Sequence, residues 1–161
     1  MAKIDVIRNT YGGLDYLQNA VNYVSDSRAM CGGGYGVDPY DPRAAYNQML
    51  AVKGYYGKTS GNPLVHIVIA YDDSVKDINT AARFGQQCAQ FFASKFQVLY
   101  CTHEKDFQCG NFHTHIIINS VSYINGQMIQ TGYDDMNAYC NYVTRMTGQK
   151  SCFYFDNKAD Y

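Results

Sequence analysis

Residues Leu64 to Tyr71 read Leu-Val-His-Ile-Val-Ile-Ala-Tyr, a β-branched run interrupted only by His66. A strand that is apolar on both sides must be covered on both sides, so this chain has to place layers above and below a sheet with this strand near its middle. Helical stripes that could form those layers flank it. Leu14, Leu17, Ala20, Val21 and Val24 predict a helix over about residues 13 to 25, ending at Ser25-Asp26-Ser27. Asp41 and Pro42 form an N-cap and N1 pair ahead of Ala45, Met49 and Val52, and Gly54 and Gly57 stop that helix. Ala81, Phe84, Gly85, Cys88, Phe91 and Phe92 form a third stripe, with Asn79 or Thr80 expected as its cap and an end near Lys95. Asp134 or Asp135 is expected to cap a fourth helix through Tyr139, Val143 and Met146, ending near Gly148 before the aromatic run Cys152 to Phe155.

The remaining strands follow from alternation and composition. Met1 to Ile7 reads as a short strand, and Phe96 to Thr102 and Phe112 to Val121 as two more, joined by the polar loop 104–111 as antiparallel neighbours. Asn125-Gly126 between apolar flanks predicts a hairpin over residues 122–129. Cys31 to Pro42 has four glycines among its first six residues and two prolines, so it reads as a loop or as a strand with irregular edges, and as the most mobile candidate segment. The sum is an α+β fold, a largely antiparallel central sheet with helices packed on it, in a single domain over residues 1–161.

Composition excludes several classes. With 47% hydrophobic and 17% charged residues the chain can bury enough surface to fold, which rules out global disorder. No run approaches the ~18 apolar residues of a membrane span and Met1 to Thr10 is no signal peptide, so the expectation is a cytoplasmic protein with no membrane insertion. Six cysteines without CxxC spacing argue against a zinc ribbon and for reduced thiols. A net charge of −1 gives no general polyanion surface, so any nucleic acid must be held by local features. Sixteen tyrosines supply stacking faces, donors and candidate nucleophiles.

The sharpest chemical signal is histidine. Period-two alternation in the strand from Phe112 places His113, His115, Ile117 and Asn119 on one face and Phe112, Thr114, Ile116 and Ile118 on the other. His103 closes the preceding strand, and an antiparallel return through the loop brings it beside His113. Three imidazoles with open positions suit a catalytic divalent ion. The alternatives are two strand histidines with an unrelated third, or a structural zinc completed by Cys109, Glu104 or Asp106; a loop carboxylate, Glu104 or Asp106, could also tune an imidazole from outside.

The segment His113-Thr114-His115-Ile-Ile-Ile-Asn119-Ser120-Val121, with Thr102-His103-Glu104-Lys105-Asp106 upstream, resembles the three-histidine motif of the relaxase and mobilisation nucleases within the HUH endonucleases. Thr114 stands where the motif has a hydrophobic residue, and the loop from His103 to His113 is a few residues longer than in close relatives. The strand around His66, the helix with Phe84 and Phe91 and the Asn-Gly turn extend the likeness over residues 3 to 148. The resemblance implies an HUH-endonuclease-like sandwich in which His103, His113 and His115 bind Mn²⁺ or Mg²⁺, although three imidazoles would also accept Zn²⁺. It implies a tyrosine nucleophile on the helix ahead of the histidines. Ala20-Val21-Asn22-Tyr23-Val24-Ser25 resembles the family's nucleophile segment and designates Tyr23, with Tyr16 as a second nucleophile or stacking residue and Tyr11 as a weaker candidate. A phenol ionises only near ~10, so attack at neutral pH needs help from a metal or a base.

The activity so implied is metal-dependent, site- and strand-specific nicking and strand transfer through a 5′-phosphotyrosyl intermediate at a transfer origin, mobilising a plasmid or integrative element. The implied partners are single-stranded origin DNA and accessory relaxosome proteins, and the chain could be the N-terminal part of a longer protein. His66 is expected either as a hydrogen-bonded core residue or beside the active site, and Asn119 as a histidine-orienting or DNA-contacting residue or a strand-end cap. Lys53, Tyr55 and Lys58 mix cations with aromatics as single-stranded DNA sites do, and Arg28 and Arg43 flank the glycine-rich stretch. Two alternatives remain: a replication-initiator or transposase version of the chemistry using Tyr142 or Tyr139, and a metal-containing DNA-binding module that does not cleave.

Overall fold

The computed structural model describes residues 1–7, 13–26, 29–106 and 109–156. The elements run β1 (Ala2–Ile7), α1 (Gly13–Val24), β2 (Ala29–Tyr35), α2 (Pro42–Tyr55), β3 (Leu64–Ala70), α3 (Ile78–Ala93), β4 (Val98–His103), β5 (His113–Asn119), α4 (Tyr133–Thr147) and β6 (Ser151–Asp156). They form an α+β fold around one six-stranded sheet in the order β2-β4-β5-β3-β1-β6. All neighbours are antiparallel except β1 and β6, so the sheet is mostly antiparallel as expected.

β3 and β5 lie in the middle, and each face of them meets a different helix layer. Val65, Ile67, Ile69, Ile116 and Ile118 pack with Ala81, Cys88 and Phe92 of α3 and Met136, Tyr139 and Val143 of α4. Leu64, Leu99 and Ile117 on the opposite face pack with Leu17, Ala20, Val21 and Val24 of α1 and Ala45 and Met49 of α2. The apolar run in β3 therefore has cover along its whole length on the α3/α4 side, and on the α1/α2 side at Leu64 and His66, while Val68 and Ala70 are only half-buried.

Several local expectations are corrected. The N-cap of α3 is Asp77, whose Oδ1 accepts from Thr80 N at 2.9 Å, not Asn79 or Thr80; the apolar stripe starts one turn inside the helix. Gly132 is the N-cap of α4, and Asp135 caps from within the first turn by accepting from Gly132 N at 2.9 Å. The Asn125-Gly126 turn does reverse the chain, with Gly126 at φ 71° against the Tyr56 ring and Ile129 N donating to Ser120 O at 2.8 Å, but the expected hairpin is reduced to a single antiparallel bridge between Val121 and Met128. The run Cys152 to Phe155 becomes β6, in parallel register with β1 through Ile4 and Phe153.

The glycine-rich stretch resolves as the edge strand β2, with a bulge between Ala29 and Cys31. Its glycines make room for β4: a Cβ on Gly33 would run into the Tyr100 hydroxyl, and the Tyr100 ring stacks with Tyr35 at 6.0 Å.

Candidate metal and tyrosine site

Two antiparallel registers build the site. His103, the last residue of β4, pairs with His113, the first of β5, and Cys101 pairs with His115. Because odd positions of both strands face α1, all three imidazoles project to the same side. Their ring centroids are 4.6 to 5.3 Å apart, and one ligand nitrogen from each lies within 4.8 Å of the other two. All three side chains are buried. Nitrogen donors gathered this closely, without a fourth protein ligand in the group among the described residues, fit a divalent ion that keeps open positions.

Each imidazole meets an outer partner through one nitrogen. His103 Nε2 lies 3.1 Å from Val24 O at the end of α1, and His113 Nδ1 lies 3.0 Å from Asn111 O. His115 Nδ1 lies 3.0 Å from Nε2 of the fully buried His66. The carbonyls at Val24 and Asn111 can only accept, so His103 Nε2 and His113 Nδ1 donate, which puts the lone pairs on the opposite nitrogens. Burial, aided by the charge of His103, pushes the His66 imidazole down to about 3, so it stays neutral. At His113 burial opposes the imidazolium, but its hydrogen bonds to Cys109 and to the Asn111 carbonyl and the charges of Cys109 and Asp106 outweigh it and raise its pKa.

α1 delivers Tyr23 to the same place. Its half-buried ring meets His115 edge-on, with centroids 5.7 Å apart and planes at 84°. Next to this cluster, Val68 and Ala70 of β3 pair with His115 and His113, and together with Lys3, Asp5 and Tyr154 they line the less covered half of the same sheet face.

Other expected site residues fall elsewhere. Tyr16 is 3% exposed in the α1/α2 core, where a large ring has packing neighbours but no access to substrate. Tyr139 and Tyr142 lie on the opposite side of the sheet, donating to Cys88 O at 3.2 Å and Gln87 O at 3.0 Å. That placement removes the geometry that the initiator and transposase alternative requires. Asn119 orients no histidine: its Nδ2 donates to Gln97 Oε1 and Met49 O, tying the far end of β5 to α2. Lys53 is 1% exposed and donates to Ser120 Oγ at 2.9 Å, so it cannot reach DNA. Lys58 donates to Gly126 O, and the exposed Tyr55 packs edge-on to Tyr56, both beyond that far end of β5.

Glu104 is exposed, whereas Asp106 accepts from Cys109 N at 2.7 Å and so shapes the turn that brings Cys109 to His113. Arg28 and Tyr11 lie outside the described residues. The residues that sequence reasoning missed are mostly backbone: the carbonyls of Val24 and Asn111 carry no side-chain signature. Thr114 has a readable reason once its strand partner is known, since its Oγ1 bridges Tyr71 Oη at 2.8 Å and Thr102 Oγ1 at 2.9 Å behind the histidines.

No helix among the described residues is long and apolar enough to cross a membrane. A search of curated proteins gave no significant match. A solved structure reported on the molecular basis of vancomycin resistance transfer in Staphylococcus aureus is similar in fold, with a TM-score of 0.62 at 10% identity over 99% of this chain and 99% of that one. The family described as "Relaxase: MobA/VirD2-like, nuclease domain" matches residues 16–150, and its nuclease domains nick DNA in mobilisation. Since that match runs from Tyr16 in α1 to Lys150 just before β6, through the whole histidine site, the chain belongs to the MobA/VirD2-like relaxase nuclease domains.

Proposed function

We propose that this domain cuts one strand of origin DNA with Tyr23 as the nucleophile and His103, His113 and His115 as ligands of a divalent ion, Mn²⁺ or Mg²⁺, initiating transfer of a plasmid or integrative element from the cytoplasm. The observation that carries this reading is the edge-on approach of the Tyr23 ring to His115 at 5.7 Å, beside three imidazoles gathered for one ion. When bound, the ion supplies Lewis-acid stabilisation of the charge that develops on the scissile phosphate.

The remaining steps belong to this chain's side chains. Tyr23 Oη attacks the phosphorus in line, the P–O3′ bond breaks, and the phenolic proton is lost as the departing 3′ oxygen gains one. The products are a 5′-phosphotyrosyl link at Tyr23 and a free 3′-hydroxyl. One phosphodiester replaces another, so the same residues can rejoin strands by the reverse step. The outer partners Val24 O, Asn111 O and His66 hold the imidazoles in place before DNA arrives, so little reorganisation is needed during the reaction.

The test uses single-stranded oligonucleotides tiling the DNA around the gene, with Mn²⁺, run on a denaturing gel. A covalent adduct that disappears with EDTA and with Tyr23→Phe is the expected result. Metal binding and DNA retention without any adduct would favour the non-cleaving module instead.

A further inference from the structure

We infer that His66 is the positioning residue that holds His115 as its Nδ1–H tautomer and thereby aims the Nε2 lone pair of His115 at the metal. This rests on the reading of His103, His113 and His115 as ligands. The observation is the 3.0 Å approach of His66 Nε2 to His115 Nδ1, between rings whose centroids are 5.2 Å apart. The sheet sets it up: His115 pairs with Val68, and His66 lies two residues along β3 on the same face, the diagonal neighbour position.

A neutral imidazole has one N–H and one lone pair, so only one of the two rings donates across this gap. If His66 donated, His115 would carry its proton on Nε2 and present a hydrogen to the ion. If His115 donates, Nε2 carries the lone pair and can ligate. Only the second arrangement is compatible with a three-histidine centre, and it makes His66 the acceptor. The usual outer partners of metal-bound histidines are carboxylates, carbonyls or water. A fully buried neutral imidazole fixes the tautomer as those do and, like a carbonyl but unlike a carboxylate, adds no negative charge beside the ligand.

All four histidines of the chain, His66, His103, His113 and His115, belong to this cluster, so a protein labelled with ¹⁵N only at histidine gives a spectrum of this site alone. The experiment is long-range ¹H–¹⁵N correlation of the imidazoles with and without Zn²⁺ as diamagnetic probe, together with calorimetric Zn²⁺ titration of wild type, His66→Leu and His66→Gln. The expected result is an Nδ1-protonated, Nε2-ligated His115 in the wild type. His66→Leu should lose about 10- to 100-fold in affinity and release the His115 tautomer. His66→Gln, whose side-chain carbonyl can accept, should recover most of both.

An Nε2-protonated His115 in the Zn²⁺-loaded wild type overturns the proposal without any variant, as does a His66→Leu protein with unchanged tautomer and affinity. If Zn²⁺ moves none of the His103, His113 and His115 resonances, the metal reading itself falls and this proposal falls with it, a result distinct from either of the others.

Discussion

His103 Nε2 lies 3.1 Å from the carbonyl oxygen of Val24, the residue that follows Tyr23. The last carbonyls of a helix have no partner within it and sit at the negative end of its dipole, so an imidazole N–H is a favourable cap for them. One hydrogen bond therefore joins the end of α1 to the end of β4, and ties a candidate ligand to the residue next to the candidate nucleophile.

Removing the phenolic oxygen should leave that connection intact. Tyr23→Phe is expected to lower adduct formation by at least about a thousandfold, with Mn²⁺ affinity by calorimetry close to wild type. His103→Ala should instead weaken Mn²⁺ binding and adduct formation together, because it removes a proposed ligand and the cap on α1 at once.

Metal binding should weaken in acid earlier than an ordinary histidine site would. The raised pKa of His113 means that, as pH falls, a proton competes for its ligand nitrogen sooner than at the usual ~6.5. Cys109→Ala removes a hydrogen bond and a charge that raise it, so the midpoint of Mn²⁺ loss in a pH series is expected to move to lower pH. An unchanged or higher midpoint would contradict the role of the thiol.

Lys53 should make stability rise in mild alkali. Burial holds its ammonium down to about 8, from 10.5. Between those values the unfolded chain binds the proton that the folded chain has released, so this residue's contribution to stability increases with pH. Lys53→Met removes the slope. Its stability relative to wild type in urea should decline between pH 7 and pH 10 by on the order of 1–3 kcal/mol.

Gly85→Ala should destabilise the fold although alanine is the better helix former. A Cβ there would lie 2.6 Å from Thr114 Oγ1 and 2.7 Å from Thr102 Oγ1, where α3 presses on the sheet. The expected cost is about 1–3 kcal/mol in urea unfolding. A gain of stability would mean that the threonine pair can move aside.

What could be read in the amino acids was whatever depends on period. Alternation put His113 and His115 on one side, and the loop length returned His103 beside them. Helical spacing likewise put Tyr16 and Tyr23 on one face of α1, but it says nothing about position along the axis: one ring lies over the core and the other at the rim next to His115. Lys53 looked like a surface cation because a helical stripe does not reveal that the turn carrying it runs beneath Ser120. The parallel pairing of β6 with β1 joins residues about 150 positions apart, and no local pattern encodes such a pairing. The outer partners of His103 and His113 are backbone oxygens, which every residue possesses.

The alternation in β5 also decides where this chain can change length. An extra residue in the loop 104–112 lengthens a turn and leaves both histidines where they are. An extra residue between His113 and His115 would carry one imidazole through the sheet to the side of Thr114 and Gly85, where α3 packs so closely that even a Cβ on Gly85 would lie 2.6 Å from Thr114 Oγ1. The loop is thus the elastic part of the motif and the strand its ruler.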